Sequence, residues 1–303
     1  MKEGAGVLAA VVSSALGGTA GAITRYVIGA TDPVTLAAFR FGIAFLLIFP
    51  VALAYKSKFP RGKDLPGVAL LGILFFAVFF FVYNIAMSMT TAARGSLALS
   101  TLPLTTMVVA FLLGRENLTV RKTSGVLIAM SGVALALWTG LAEAPAGAWR
   151  GDLVMMGGTL IMAFYSIWSR PLMARSSMLG FLAAGMGFGA LASVLLAWFS
   201  GGFQKTFATF QGPQWIAVAA LGVLGGAAAF YLWVYALERT TPTRVTNTMT
   251  INPVAASLLA AVLVGEPLGL NLLLGIAAVG AGIWLASTER AVRPSATAPS
   301  RRA

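Results

Sequence analysis

Apolar stretches of roughly twenty residues, the length a helix needs to cross a hydrocarbon core, follow one another along almost the whole chain. Charges, prolines and glycine clusters bound ten of them, near 5–28, 34–55, 66–87, 91–113, 119–139, 150–171, 178–199, 213–237, 242–264 and 269–288. The polar interruptions are too short to hold a soluble domain. The pattern predicts an all-α integral membrane protein of ten transmembrane helices. The first stretch has no short apolar core followed by an A-x-A site, so a retained span is expected there. Beyond Glu289 the sequence RAVRPSATAPSRRA is polar and proline-containing, and 290–303 is expected to be a disordered cytoplasmic tail.

Composition names the solvent. Of 303 residues, 58% are hydrophobic and 10% charged, too few charges to cover a water-soluble surface, so most of the chain faces lipid. Charge then sets the orientation. With a cytoplasmic N-terminus, the inner segments hold sixteen Lys or Arg, and the outer ones only Arg25, Arg94, Arg150 and Lys205. The acids divide five inside to four outside, so the asymmetry belongs to the cations, as the positive-inside rule requires. Both termini are expected in the cytoplasm. The net charge of +12 is scattered over short connections instead of one polar face, which argues against nucleic acid.

Residues 80–137 and 230–287 align without a gap at an offset of 150, with fourteen identities in fifty-eight positions. Composition alone would give about five. The matches include Phe80/Phe230, Thr90-Thr91/Thr240-Thr241, Arg94/Arg244, Pro103/Pro253, Glu116/Glu266, Gly125/Gly275 and Gly132/Gly282. Each copy carries five spans, an odd number, so the second must lie upside down relative to the first. The units are 1–145 and 146–289. Inverted repeats of this kind hold a site between the halves and expose it to each side in turn.

The segments YNIAMSMTTAARGSLALSTLPLTTMVVAFLLGRENLTVRKTSGVLIAMSGVALAL and YLWVYALERTTPTRVTNTMTINPVAASLLAAVLVGEPLGLNLLLGIAAVGAGIWLA resemble the two EamA-type repeats of the drug/metabolite transporter superfamily. DPVTLAAFRF at 32–41, with Arg40, is similar to the start of that family's second helix. Within the superfamily the chain looks most like the YddG-type amino-acid exporters. The resemblance implies a multi-pass carrier of a bacterial inner membrane, a monomer or weak homo-oligomer with a small-molecule substrate. Where the family often carries a tryptophan in helices 1 and 6, this chain has Gly17 and Met162, which implies a wider central space.

Candidate site residues come from the repeat and from polarity inside the spans. Glu116 and Glu266 close helical hairpins, where a carboxylate can accept orphan N–H groups at a helix start. The other reading, a proton-coupling acid, asks for a position nearer the midplane. Arg40 is the one charge well inside a span, roughly 10 Å from its outer end at about 1.5 Å per residue. No acid within a span matches it, so it anchors, gates or touches the solute. Ser96, Ser100 and Pro103 share one helical face, and Thr246, Thr250 and Pro253 repeat it, with Asn247 and Asn252 nearby. Mid-helix prolines free carbonyls and permit bends, which suits either a polar solute seat with gates or plain interhelical bonding. Phe80, Tyr83, Tyr165, Trp168, Phe230 and Trp233 offer an apolar wall for a ring-bearing or aliphatic solute.

The chemistry these residues allow is narrow. With no Cys and no His, no cofactor or metal site is expected, and an intramembrane enzyme would lack its nucleophile–base pair. No phosphate-binding loop is present to drive transport by ATP. The expectation is facilitated efflux or exchange, through a neutral lining suited to zwitterionic amino acids with aromatic or apolar side chains. A multidrug or other metabolite exporter is the alternative, and a channel or membrane scaffold a further one.

Overall fold

The computed structural model describes residues 2–90, 92–136, 138, 146–255 and 270–288, and every regular element among them is helical. The first copy holds α1 (Lys2–Val27), α2 (Pro33–Ala54), α3 (Gly62–Met89), α4 (Ala92–Leu99), α5 (Leu102–Leu112) and α6 (Val120–Ala136). The second holds α7 (Trp149–Arg175), α8 (Met178–Phe199), α9 (Gly202–Thr209), α10 (Gly212–Arg239), α11 (Pro242–Asn247) and α12 (Leu270–Ser287). Six of the described helices are long and apolar enough to cross a membrane. Glu266, the end of the ninth expected span and the tail 290–303 lie outside the described residues.

Local signals set the helix starts. Asp32 accepts from Val34 N and Thr35 N ahead of Pro33, whose fixed φ suits the first helical position. Ser177 does the same for Gly180 N at α8, and Thr241 for Arg244 N at α11. The fourth expected span is two helices. The chain turns at Ser100–Thr101, one turn before Pro103, because a proline cannot donate to the carbonyl four residues earlier. The second copy tightens to a 3₁₀ turn at Thr248–Thr250, just ahead of Pro253. α9 was not expected, since its Gln204, Lys205 and flanking glycines read as a connection. Its Phe203 and Phe207 pack with Trp215 around Phe39 at ring separations of 5.3, 6.2 and 5.4 Å, an interfacial aromatic cluster.

Between helices in lipid, association rests on close packing and not on hydrophobic transfer. Glycines permit it. A Cβ on Gly125 would come 2.7 Å from Gly282 O, and one on Gly132 2.9 Å from Gly275 O, so α6 and α12 run antiparallel with touching backbones. Gly125/Gly275 and Gly132/Gly282 are paired positions of the repeat, so this interface maps onto itself when the copies are exchanged. The pair α2–α10 likewise mirrors α8–α3. A Cβ on Gly226 would meet Ala44 Cβ at 2.8 Å, and one on Gly189 would meet Phe76 Cβ at 2.5 Å.

Among the described residues, connections meet at both ends of the bundle. At one end Ser177 N donates to Lys58 O at 2.9 Å, and Arg175 pairs with Asp64 at 2.7 Å. At the other the Thr31 and Thr206 hydroxyls meet at 2.7 Å, and Thr209 donates to Ala30 O at 2.8 Å. The core between them is aromatic, with Phe75 stacked on Tyr165 at 4.1 Å and Phe41 edge-on to Phe80 at 4.6 Å.

Candidate functional site

α3 and α10 each pass through a π-helical stretch at matching places, Ile73–Phe79 and Leu221–Ala228. Widened turns of this kind shift the register of side chains and leave carbonyls without helical donors. Both stretches face a small central void of about 50 Å³. α1 contributes Ser13 and Gly17 to its wall, α2 Arg40, and α3 Phe79, Phe80 and Tyr83. Across from them stand Met162 of α7, Gly225, Ala229 and Phe230 of α10, and Met249 and Asn252 beyond α11. Both copies therefore meet there, as the repeat requires. Its volume holds a few waters, far less than an amino acid.

Of the residues singled out from sequence, Phe80, Tyr83, Phe230, Asn252 and Arg40 line this void. Gly17 and Met162 line it too, but Gly17 does not widen it: the Asn252 amide sits 3.1 Å from where its Cβ would be. Tyr165 is buried against Phe75 and Phe181, and Trp233 is buried in the same core. Trp168 is 40% exposed and stacks on Phe164 at 4.7 Å, on the outer surface of α7. Ser100 and Thr250 are buried off the void, Thr250 donating to Asn247 O at 2.7 Å. Asn247 is fully buried with no hydrogen bond on its amide. Ser96 lies in α4, its side chain outside the described ones. Ser13, Phe79, Leu99, Gly225, Ala229 and Met249 carry no sequence signal that marks them, because small and apolar residues fill every span.

The lining is not neutral, contrary to the sequence expectation. Arg40 is 6% exposed. Its Nη2 donates to Gly225 O, inside the π-helical stretch of α10, at 2.7 Å. Its guanidinium lies 4.5 Å from the Phe80 ring centre, a cation–π contact.

Glu116 caps a helix, but not one of its own hairpin. It accepts from Thr243 N at 3.1 Å, at the start of α11 in the other copy, and pairs with buried Lys122. Two further ion-paired clusters lie at the ends of the bundle. At one end Asp152 accepts from Thr90 Oγ1 at 2.7 Å and from Arg94 Nε at 3.0 Å. At the other Glu3 accepts from Thr240 Oγ1 at 3.5 Å and pairs with Arg244. Thr90/Thr240 and Arg94/Arg244 are the same positions 150 residues apart. Each acid lies in the first turn of the other copy's first helix, α7 or α1, where the helix dipole favours an anion. The structure thus contains one latch twice, at opposite ends, each tying the copies together.

Comparison with known proteins agrees with this architecture. A transporter of Archaeoglobus fulgidus named "Uncharacterized transporter" is 24% identical over 268 residues, 88% of this chain and 92% of its own. A Streptantibioticus cattleyicolor protein named "Probable terminal-alkyne amino-acid exporter" is 27% identical over 264 residues, 85% of this chain and 86% of its own. A solved structure titled "Crystal structure of protein" superposes with a TM-score of 0.74 at 23% identity, over 94% of this chain and 96% of that one, which speaks to fold alone. The profile of the EamA-like transporter family matches residues 4–138 and again 149–288. With both halves of the chain matched, this multi-pass membrane protein belongs to the EamA-like transporter family.

Proposed function

We propose that the chain exports amino acids with aromatic or other apolar side chains, or similar small metabolites, across a bacterial inner membrane by alternating access. The observation that carries this reading is the doubled latch. Thr90, Arg94 and Asp152 tie the copies together at one end of the bundle, and Thr240, Arg244 and Glu3 do so at the other. A matched pair of ties at opposite ends is what an inverted-repeat carrier needs, since releasing one while holding the other would open the centre to a single face. In this reading ten spans form two inverted units, 1–145 and 146–289, with both termini in the cytoplasm. The same-end links among the connections and the bias of the cations support it.

The amino-acid assignment draws on the wall of the void, with aromatic and methionine side chains beside a few polar groups, and on the exporter named among the relatives. No carboxylate of the described residues lines that void, so the driving force is the solute gradient, by facilitated efflux or exchange. A multidrug exporter of lipophilic cations fits less well, because the wall carries the positive Arg40. Purified protein in liposomes should show saturable uptake of labelled L-phenylalanine, accelerated by unlabelled L-phenylalanine on the opposite side. A channel would give flux without that acceleration, and strict dependence on a pH gradient would overturn the uncoupled mechanism.

A further inference from the structure

We propose that Arg40 is the seat of the solute's carboxylate, so that the carried class is monocarboxylates with an apolar body, and amines and cations are refused. The inference rests on the carrier reading above and gives its central void a charge preference.

Among the described residues, Arg40 is a buried cation without a counter-charge. The six acids of the described residues are all engaged elsewhere. Glu3 holds Arg244, Asp64 holds Arg175, Glu116 holds Lys122, Asp152 holds Arg94 and Glu238 holds Arg239, while Asp32 caps α2. Among the described residues, Arg40 makes one hydrogen bond, to Gly225 O, and its Nε has no acceptor. A guanidinium carries five donors in a planar fork suited to a carboxylate, and a charge taken out of water without a partner is costly. A carboxylate in the void would meet that demand.

Architecture does not require the charge. Gly226 meets Ala44 as Phe76 meets Gly189, and this correspondence puts Gly185 at the place of Arg40 in the other copy. There a bare glycine lets α3 close onto α8, with Gly72 and Gly185 backbone to backbone. At this matching place the α3–α8 contact thus packs without a cation, and Arg40 breaks the symmetry where the two copies face a common void. The same wall supplies the rest of a zwitterion's needs. Asn252 Oδ1 is buried without a hydrogen bond and can accept from an ammonium, and Phe80 and Phe230 flank an apolar side chain.

The test uses three matched probes, L-phenylalanine, 3-phenylpropionate and phenethylamine, with binding followed by titration calorimetry on the full-length protein. The two carboxylates should bind and the amine should not. Arg40→Gln should weaken both carboxylates by about tenfold or more, the worth of a hydrogen bond to a charged group, and Arg40→Lys should retain part of the affinity. Equal binding of the amine, absence of binding by all three, or unchanged affinity in Arg40→Gln would each overturn the proposal. The comparison of probes on the unaltered protein stands even where a variant fails to fold. Binding of the carboxylates without counterflow would sink the carrier reading and leave the carboxylate seat. Counterflow that ignores the carboxylate would do the reverse.

Discussion

Two aromatic residues one turn apart on α7 separate what a helix face decides. Tyr165 is 1% exposed and stacks on Phe75, whereas Trp168 stacks only on Phe164 at the outer surface. Spacing in sequence could not rank them, because a lipid-facing aromatic and a core aromatic are equally apolar when the solvent is hydrocarbon. Truncation should. Tyr165→Ala removes a ring from a dense cluster and should cost on the order of 3 kcal/mol through lost packing. Trp168→Ala should change stability by less than about 0.5 kcal/mol, as surface substitutions do. Thermal melting of the two variants in one detergent checks this, and equal losses would mean that Trp168 is packed in the functional form. Arg40 was legible as an intramembrane charge, but not its direction. The carbonyl it bonds belongs to a π-helical turn of α10, 185 residues away, and no local pattern announces such a turn.

At the scale of elements, the two latches make the sharpest prediction. Their threonines and arginines stand in the aligned repeat, so two of the three members of each cluster could be read from sequence. Their acids could not, because Glu3 and Asp152 fall outside the aligned blocks and reach the arginines only through the crossing of α1 and α7 over the neighbouring copy. Proline signals behaved better. Pro103 and Pro253 marked both breaks, since the missing donor is a property of the residue itself. Neutralising one acid should leave one end unlocked. Asp152→Asn should make a cysteine introduced at Ser13 react faster with an impermeant thiol reagent from the Arg94 end, and Glu3→Gln from the Arg244 end. The chain has no cysteine of its own, so the background is clean. Faster reaction from the same end in both variants would show that the clusters do not act as opposing gates.

For the whole molecule, the arrangement proposed above is two five-helix units facing opposite ways, and several independent contacts support it. The α6–α12 seam is antiparallel and self-matching, through glycines that the repeat places 150 residues apart. A parallel duplication would bring each helix beside its counterpart running the same way, and could not pair Gly125 with Gly282 and Gly132 with Gly275 at once. The connections agree, since Lys58 and Ser177 are bonded at one end and Thr31 and Thr206 at the other. Opposite insertion needs little from the sequence beyond charge, because orientation follows the Lys and Arg of short connections. Lys56, Lys58, Arg61 and Lys63 should hold the first unit in place, and Arg170 and Arg175 the second. Protease sites inserted beside Lys58 and Arg175 should therefore be cut only from the cytoplasmic side, in inverted vesicles and not in intact spheroplasts. Sites beside Thr31 and Gly201 should be cut only in spheroplasts. Cleavage beside Lys58 and Arg175 from different sides would separate connections that the fold holds in contact, and would overturn the proposed inverted arrangement with the carrier mechanism built on it.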